Sequence, residues 1–553
     1  MVTLTIDNKQ VSVPAGTTIL DAARAVDIHI PTLCYLREIN EVASCRVCAV
    51  EVEGVDKLAT ACNTLVEEGM VVHTNTQRVR LTRKTNVELI LSQHVDHCVT
   101  CVRSGNCSLQ ALSKAMNIQS VPFRKEATER PWDPALPILR DSSKCIKCLR
   151  CVSVCDRVQS LGVWEVTGSG AHTTVRIRGG LRMNEASCAL CGQCVVHCPV
   201  GALRERDDTE TVFSALSDPT KEVVFQIAPA VRAAWGESLG LSPEQATEKR
   251  LAAAVRALGV KHVFDTTFSA DLTILEESSE FVERLSHPES SKLPQFTSCC
   301  PGWVRFVRTE YPELAGHLST AKSPQQMFGA MAKSYYAEKM GLRPEDIFVV
   351  SVMPCTAKKF EITREGECGA GAGIPDVDVA LTTRELGQMI QRAGLLFAEL
   401  PEEEFDPALG IATGAGHIFG ASGGVMEAAL RTASELLTGK ELEKVEFQEV
   451  RGAHGIKEAA YEIAGRTVRV CVLSGTANAG QVLEDIRSGK RAYDFIEIMA
   501  CPGGCVNGGG QPLQPSVIRN FRSVSAMRAG ALYQEDQEMP LRKSHKSPLI
   551  QEI

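Results

Sequence analysis

The chain has no long apolar segment and no long run of one charge. Nothing approaches the roughly 18 consecutive apolar residues that suggest a membrane-spanning helix. Fifty-nine basic residues stand against 67 acidic ones, for a net charge of −8, which argues against a nucleic-acid surface. The first residues alternate apolar and polar without a charged start or an apolar targeting core, so we expect a cytoplasmic protein.

Aromatic residues are also few, at 5%, whereas hydrophobic residues as a whole reach an ordinary 44%. These values are typical of a globular chain. At 553 residues it is too long for a single core, and we expect about three to five domains.

Cysteine is the residue in excess, with 22 copies. In a small secreted chain such a number would predict disulfides. Here the cysteines fall in C-x-x-C groups within a large chain without a secretory start. This pattern favours metal binding.

The first 78 residues predict a small mixed α/β unit, with alternation from Val2 to Val13, a turn at residues 7–9 and a helix from Ile19 to Val26. Its cysteines are separated by ten, two and thirteen residues, a spacing that differs from the plant-type ferredoxin pattern. They suit a 2Fe–2S cluster, and structural cysteines or a zinc site are the alternative. The four candidate ligands are Cys34, Cys45, Cys48 and Cys62.

A histidine and three cysteines come next, at His94, Cys98, Cys101 and Cys107. This donor set alone suits structural zinc as well as it suits an iron–sulfur cluster. His97 is a competing histidine.

Two runs of four cysteines follow between residues 138 and 209. They have the bacterial two-cluster ferredoxin spacing, in which the fourth cysteine of each run binds the other cluster. The runs depart from that pattern in having Asp156 instead of proline after the first run, and in the long gap between them. The predicted sets are Cys145, Cys148, Cys151 and Cys198 for one cluster, and Cys188, Cys191, Cys194 and Cys155 for the other.

From about residue 210, apolar strand-like segments alternate with amphipathic helices, which predicts α/β layers with largely parallel sheets. Residues 242–244, Ser-Pro-Glu, predict the start of a helix that continues to Leu258. Residues 323 and 324, Ser-Pro, predict another that ends at Gly341. Sites in such sheets form beyond the carboxyl ends of strands.

Four more cysteines lie at or just past apolar stretches in this half: Cys300, Cys355, Cys501 and Cys505. Four converging thiolates suit an iron–sulfur cluster, and Cys299 is then a spare thiol. The segments 297–303, 353–358 and 497–511 resemble the three signature motifs of the iron-only (FeFe) hydrogenases. The two N-terminal cysteine groups resemble modules shared by those enzymes and by respiratory NADH dehydrogenase large subunits, and there the family spacing favours His94 over His97.

The resemblance implies a multidomain α+β and α/β fold, in which ferredoxin-like iron–sulfur domains precede a two-lobed α/β catalytic domain. It divides the chain into a 2Fe–2S domain (1–78), a 4Fe–4S domain with one histidine and three cysteine ligands (79–118), a two-cluster 4Fe–4S domain (138–209), a catalytic domain (210–515) and a C-terminal small-subunit-like segment (516–553). The implied cofactors are one 2Fe–2S cluster, three accessory 4Fe–4S clusters and the H-cluster. The H-cluster is a 4Fe–4S cluster joined to a two-iron subsite with carbon monoxide, cyanide and a bridging dithiolate.

By the same resemblance, the four later cysteines hold the catalytic 4Fe–4S cluster, and Cys505 bridges to the two irons. Lys358 matches the lysine that donates to a cyanide, where a buried anionic ligand needs a charged partner. Ala230 stands where some relatives have serine. The remaining pocket positions are Pro229, Gln325, Met353, Phe419 and Met499.

Cys299 also matches the family's proton-shuttle thiol. Glu280, Ser319 and Glu277 match the relay that leads from that thiol to the surface, with Arg284 at the exit. Without the family, the two glutamates would be interpreted as a solvated helix face.

The resemblance predicts an enzyme that interconverts protons and electrons with dihydrogen. Its electrons would come from ferredoxin or from flavin-containing, NAD(P)H-oxidising partner subunits, and maturation proteins would supply the non-protein ligands. The glycines of segment 414–424 do not follow GxGxxG, so we expect no nicotinamide site in this chain. A non-catalytic or hydrogen-sensing electron-transfer protein is the alternative; Cys299 and Lys358, with the two glutamates, favour the enzyme.

Overall fold

A computed structural model describes residues 1–127, 129–287, 289, 291–397, 399–410, 413–452 and 454–552. Among these residues no helix has both the length and the apolar composition needed to cross a membrane.

The N-terminal unit begins with a hairpin, because Asp7 and Asn8 both adopt the positive φ of a two-residue turn. The elements are β1 Val2–Ile6, β2 Lys9–Val13, α1 Ile19–Ala25, β3 Ala49–Val52, β4 Ala59–Thr60 and β5 Val71–His73. The five strands pair in the order β2-β1-β5-β3-β4. Thr18 caps the predicted helix by accepting from the Asp21 amide at 3.2 Å.

Two helices carry the chain through the segment with the histidine and three cysteines: α2 Gln77–Ser92 and α3 Ser108–Ala115. The two-cluster segment follows with β6 Ile138–Arg140, α4 Arg150–Ser153, β7 Trp164–Thr167, β8 Thr174–Ile177, α5 Gln193–Val196 and β9 Leu203–Glu205. Its two cysteine runs repeat one backbone pattern, because the residues two and four after the first cysteine of each run have positive φ (Lys147 and Leu149; Leu190 and Gly192). The shared C-x-x-C-x-x-C spacing thus gives the same loop twice.

Among the described residues after about 210, the strands are β10 Glu222–Ile227, β11 His262–Asp265, β12 Gln295–Phe296, β13 Ile347–Met353, β14 Val379–Thr382, β15 Ile456–Ile463, β16 Arg466–Ser474 and β17 Phe495–Met499. They form two four-stranded sheets, which confirms the expected two-lobed α/β architecture. One sheet is entirely parallel, in the order β11-β10-β13-β14, and the other has the order β12-β17-β16-β15 with β15 antiparallel. Cys471, which matches no motif, is fully buried in β16.

The helices of this half cover both sheets: α6 Thr209–Ser217, α7 Pro229–Arg232, α8 Glu248–Ala257, α9 Thr267–Ser286, α10 Pro301–Glu310, α11 Pro324–Met331, α12 Ala337–Met340, α13 Lys358–Glu361, α14 Thr383–Arg392, α15 Gly414–His417, α16 Gly424–Thr438 and α17 Thr476–Arg487. The predicted start of α8 at residues 242–244 is wrong. Thr247 caps the helix instead, accepting from the Arg250 amide at 3.2 Å, because residues 242–246 are used in a turn that brings the Ala246 carbonyl to the Trp235 indole. The predicted end at Gly341 is confirmed.

The C-terminal segment contains α18 Ser516–Arg519, α19 Val524–Glu538 and α20 Pro548–Glu552. It packs against the part of the chain between residues 210 and 515, because Leu532 is fully buried against Ala230 and Val506. Asp536 is also buried and pairs with Arg431 at 2.8 Å. These contacts hold the segment against that part of the chain.

Candidate active site and iron–sulfur sites

The carboxyl ends of parallel strands from both sheets lead into the predicted cysteine motifs. Cys355 follows β13 and Cys501 follows β17, while Cys299 and Cys300 follow β12. Strand β10, beside β13 in register, leads into Pro229. The two sheets therefore direct their loops toward one place, as expected for α/β layers.

One cavity lies between these strand ends, and its lining contains every pocket residue named from the sequence. Its walls include Cys299, Cys300, Cys355, Cys501, Cys505, Lys358, Pro229, Ala230, Gln325, Met353, Phe419 and Met499. Residues from three distant motifs meet here. Apart from the cysteines and Lys358, the wall is largely apolar.

The four predicted ligand thiols of this cavity are enclosed together. Burial is the main cause that raises the pKa of each one, and repulsion from neighbouring thiolates contributes at Cys355, Cys501 and Cys505; the pKa of Cys355 reaches about 12. Four such thiols are unfavourable as free thiolates in one apolar cavity, and an iron–sulfur cluster is the kind of group that would hold them deprotonated.

Glycine lets the backbone beside Cys505 pack closely. A Cβ at Gly508 would lie 2.1 Å from the Pro354 carbonyl oxygen, and Gly504 has a φ of +97° with its Cβ position 2.6 Å from the Ser422 amide. Side chains at these positions would push the cysteine loop away from the cavity. The donor set and the cradle therefore fit a cluster held by four thiolates.

Lys358 reaches the cavity as part of a buried ion pair. Its ammonium donates to Glu361 at 2.7 Å, to the Ser323 hydroxyl at 2.8 Å and to the Cys299 carbonyl at 3.2 Å. The same Glu361 oxygen also accepts from Gln325 at 2.9 Å, while the other oxygen has no partner among the described residues. Glu361 was not identified from the sequence, although its i,i+3 spacing from Lys358 on α13 is a usable signal.

The proposed relay residues lie on α9 and on the loop beside it. Glu277 is fully buried, and burial raises the pKa of its carboxyl to about 7. One oxygen accepts from the Ser298 amide at 3.1 Å, and the other has no partner in the part of the chain that the structure describes. The pKa of the Cys299 thiol is raised well above its usual range, first by burial and then by the Glu277 carboxylate.

Glu280 occupies the outer end of the same group. It accepts from the Ser319 hydroxyl at 2.7 Å and from Arg284 at 2.6 Å. The order written from the sequence, with Glu280 nearer to Cys299 and Glu277 nearer to the exit, is therefore reversed. The reason is that Arg284 lies one helical turn after Glu280 and pairs with it, while Glu277 points to the Ser298–Cys299 loop.

The cysteine groups of the N-terminal iron–sulfur domains also lie at separate places in the structure. Cys145, Cys148, Cys151 and Cys198 line one cavity together with Arg140, which agrees with the predicted exchange of the fourth cysteine. Burial raises the pKa of Cys148, Cys151 and Cys198, and the charges of Arg150, Arg140 and Arg103 respectively oppose that rise.

The second cysteine set of this domain adjoins the catalytic cavity. Main-chain amides donate to the sulfurs of Cys155 and Cys188 at 3.4 Å, and Gln159 donates to that of Cys191 at 3.2 Å. The Cys501 thiol lies 3.7 Å from the Cys191 carbonyl oxygen. An electron at this set would thus be next to the catalytic cysteines.

A smaller cavity is surrounded by the group of one histidine and three cysteines, His94, Cys98, Cys101 and Cys107. His97 also lies in its wall. The Nδ1 atom of His94 lies 3.0 Å from the Lys144 carbonyl oxygen, which can only accept, so Nδ1 carries the proton and Nε2 is left free to bind metal. This supports His94 over His97. No three histidine, cysteine or acidic side chains in the described ranges converge tightly enough for a single ion.

The N-terminal four cysteines form two adjacent pairs. The Cys34 amide donates to the Cys45 sulfur at 3.4 Å, and the sulfurs of Cys48 and Cys62 are 3.3 Å apart. The loop with Cys34 contacts the two-cluster segment, where Asn40 donates to the Cys148 carbonyl at 3.0 Å.

This fold and these sites define an iron–sulfur oxidoreductase. The model for the iron-only hydrogenase large subunit, C-terminal domain, matches residues 221–509. A 2Fe–2S cluster binding domain matches residues 1–77, the iron–sulfur binding region of NADH-ubiquinone oxidoreductase-G matches 83–122, and a 4Fe–4S dicluster domain matches 144–202. The chain belongs to the iron-only hydrogenases.

Full-length relatives agree with this family. The chain is 48% identical to the NADP-reducing hydrogenase subunit HndD of Solidesulfovibrio fructosivorans, covering 100% of this chain and 95% of that one. It is 41% identical to iron hydrogenase 1 of Clostridium pasteurianum, covering 100% and 96%. A solved FeFe-hydrogenase from Chlamydomonas reinhardtii matches with a TM-score of 0.55 and 43% identity, over 62% of this chain and 93% of that one.

Proposed function

We propose that this chain catalyses the reversible conversion of two protons and two electrons to dihydrogen at an H-cluster held by Cys300, Cys355, Cys501 and Cys505. The observation that supports this most is the single cavity in which these four thiols meet a fifth thiol and a buried lysine. When bound, the H-cluster would take up or release the electrons and would provide the iron and the basic amine at which dihydrogen is made or split.

Cys299 is the residue proposed to hold the proton, at its sulfur. It lines the cavity beside the ligand Cys300 and has no predicted ligand role of its own. Glu277 would exchange that proton with Cys299, since a carboxyl with a pKa of about 7 exists in both forms near neutrality. Ser319 and Glu280 would continue the path to Arg284.

Lys358 is proposed to orient and hold the cyanide end of the two-iron subsite by donating from its ammonium. Glu361, Ser323 and Gln325 hold this end of the cavity in one arrangement through a common carboxylate oxygen. The apolar side chains of Met353, Phe419 and Met499 would keep bulk water away from the reacting atoms.

Electrons are proposed to reach the cavity through one 2Fe–2S and three 4Fe–4S accessory clusters bound by the sets described above. The step next to the catalytic cysteines would leave from the Cys155, Cys188, Cys191 and Cys194 set, supported by the Cys191–Cys501 contact.

The proposed electron partner is a flavin-containing, NAD(P)H-linked subunit, with ferredoxin as the other candidate. The name of the 48% identical relative, an NADP-reducing hydrogenase subunit, supports the first, as does the NADH-ubiquinone oxidoreductase-G region. We further propose a cytoplasmic location, where a reducing environment suits 22 unpaired cysteines, and dependence on maturation proteins for the carbon monoxide and cyanide ligands.

Expression in a host without the dedicated maturation enzymes tests this function. The purified chain should contain its cubane clusters and show no hydrogen evolution with a saturating artificial reductant. Addition of a synthetic two-iron complex should then produce activity together with infrared bands of carbon monoxide and cyanide. Activity before the addition, or active protein without those bands, would contradict the assignment.

A further inference from the structure

Four arginines from separate parts of the chain surround the Cys145–Cys198 cavity, and we call Arg103, Arg140, Arg150 and Arg519 the arginine shell. Arg140 lines the cavity itself. Arg103 donates to the Cys198 carbonyl at 3.0 Å, and Arg519 donates to the Val196 carbonyl at 3.0 Å and contacts His197 Nε2 at 3.2 Å.

Arg150 lies between two of the cavity's cysteines in sequence and is almost completely buried, at 3% exposure. It donates to the carbonyl oxygens of Leu33 at 2.7 Å, Cys34 at 3.0 Å and Tyr35 at 2.8 Å, and to the Ser516 hydroxyl at 2.8 Å. It also donates to the His197 carbonyl at 3.5 Å. Its acceptors therefore belong to the loop with Cys34, to the C-terminal segment and to the residue before Cys198.

Within the described parts of the chain, none of the four guanidinium groups has a carboxylate within 4.0 Å. Arg103 and Arg140 are buried to the same degree as Arg150, with exposures of 5% and 8%. Arg140 donates to the Val175 carbonyl, and its guanidinium lies 6.0 Å from the Trp164 ring. Carbonyl dipoles and a ring satisfy hydrogen bonds, but they do not cancel buried positive charge.

Buried charges in proteins are almost always paired or bound to a metal centre. Arg103 and Arg140 lie beside this cysteine set, and Arg150 lies between it and the loop with Cys34. The anion that the cavity would supply is the iron–sulfur cluster held by its four thiolates. We propose that the arginine shell is the counter-charge of this cluster and raises its reduction potential above that of the second 4Fe–4S cluster in the domain. This inference rests on the ligand sets of the proposed function.

The second set has a weaker positive environment. Arg305 donates to the Cys188 carbonyl at 2.7 Å and is only partly buried. When either cluster accepts one electron, its net charge becomes more negative by one, without a proton. The cluster with more fixed positive charge around it stabilises the added negative charge more. A single electron shared by the two clusters would therefore be found mainly on the arginine-shell cluster.

The test uses the full-length chain with reconstituted clusters and three variants. Arg140→Gln removes the charge that lines the cavity, and Arg140→Lys keeps a charge there. Arg305→Gln is the matched control, because it removes the positive charge at the other set. Iron, labile sulfide and integrated electron paramagnetic resonance of the reduced protein are measured first, followed by a potentiometric titration of the individual 4Fe–4S signals.

For Arg140→Gln we expect the same iron content as in the wild type. The reduction potential of one 4Fe–4S signal should be lower than in the wild type. The ratio of reduced to oxidised cluster at a fixed solution potential should fall at least tenfold, which is about 59 mV for one electron. Arg140→Lys should recover most of the shift, and Arg305→Gln should move a different wave.

The inference would be overturned if no 4Fe–4S wave changed its potential in Arg140→Gln. It would also be overturned if Arg140→Lys lowered the potential as much as Arg140→Gln does. If Arg140→Gln loses four irons, Arg519→Gln at the edge of the shell replaces it, with the same expected shift and the same contrary result. A wild-type chain without two 4Fe–4S signals from this domain would instead contradict the proposed function.

Discussion

The catalytic cavity and the arginine-shell cavity both contain buried positive charge, but the protein treats that charge differently. Beside the catalytic cysteines, Lys358 has a carboxylate partner, Glu361, at 2.7 Å. Beside the Cys145–Cys198 cavity, Arg140 and Arg150 have only carbonyl, hydroxyl and ring partners among the described residues.

The difference shows which charges the polypeptide balances by itself. Lys358 and Glu361 form a neutral pair before any cofactor is present, so the lysine can be held in place while the two-iron subsite is absent. The arginine shell has no such partner in the described ranges. On the proposed ligand set, thiolates holding a cluster would balance this charge, and we therefore expect folding there to be coupled to cluster binding.

The largest expected effect is loss of a catalytic ligand. Cys300→Ser should lose the catalytic 4Fe–4S cluster and all hydrogen evolution, because the serine hydroxyl is a poor substitute for the thiolate, while the accessory clusters stay. Iron analysis and spectra measure this, with the buried non-ligand variant Cys471→Ala as control. Full iron and normal turnover in Cys300→Ser would show that the ligand set is wrong.

The second-largest effect is expected from changes to the proposed proton relay. Glu277→Gln keeps the shape but removes the exchangeable proton, so turnover should fall by about 10²–10⁴-fold, as for loss of a positioned acid–base group. Glu276→Gln is the control, because Glu276 is exposed on the same helix. Hydrogen evolution at saturating reductant measures both, and equal rates would exclude Glu277 from the path.

The contrast between Lys358 and Arg140 can be measured in the apoprotein. Glu361→Gln leaves the Lys358 ammonium buried without its partner and should lower the free energy of unfolding by about 3–5 kcal/mol. Arg140→Gln removes a charge that has no carboxylate partner among the described residues, so the apoprotein should lose less stability or gain some. Urea unfolding measures the pair of variants, and an equal loss of stability in both would show that Lys358 and Arg140 are balanced in the same way.

A smaller effect should appear as a pH dependence of stability. Glu277 has a pKa of about 7 in the fold against an ordinary 4.5, so the native state retains a proton that the unfolded chain releases. Stability from this group is complete below about pH 4.5 and falls as the pH rises toward 7, by about 3 kcal/mol in total. Glu277→Gln should flatten the unfolding curve over this window, whereas Glu276→Gln should leave it unchanged.

The sequence predicted those parts of the architecture whose geometry follows from a local sequence motif. Strand-then-cysteine segments predicted that Cys355 and Cys501 each lie beyond the carboxyl end of a strand. Their convergence followed from the resemblance of their motifs, because β13 and β17 belong to different sheets. The sequence could not predict the start of α8, since two capping sequences compete there and the Trp235 contact to Ala246 decides between them.

Long-range charge pairing was the other part that the sequence did not predict. Arg103, Arg150 and Arg519 come from three segments, and nothing local to any of them indicates a common cavity. The order of Glu277 and Glu280 in the relay was also wrong, because both lie on one face of α9 and only the tertiary contacts to Ser298 and Ser319 distinguish them.

The most direct test of the proposed chemistry is hydrogen evolution by Cys299→Ser supplied with the synthetic two-iron complex, alongside its infrared spectrum. The account predicts intact carbon monoxide and cyanide bands, full iron, and turnover lower by at least about 10²-fold, because the serine hydroxyl is far less acidic than the thiol. Wild-type turnover with the same bands would contradict it, since the proton would then reach the site without Cys299.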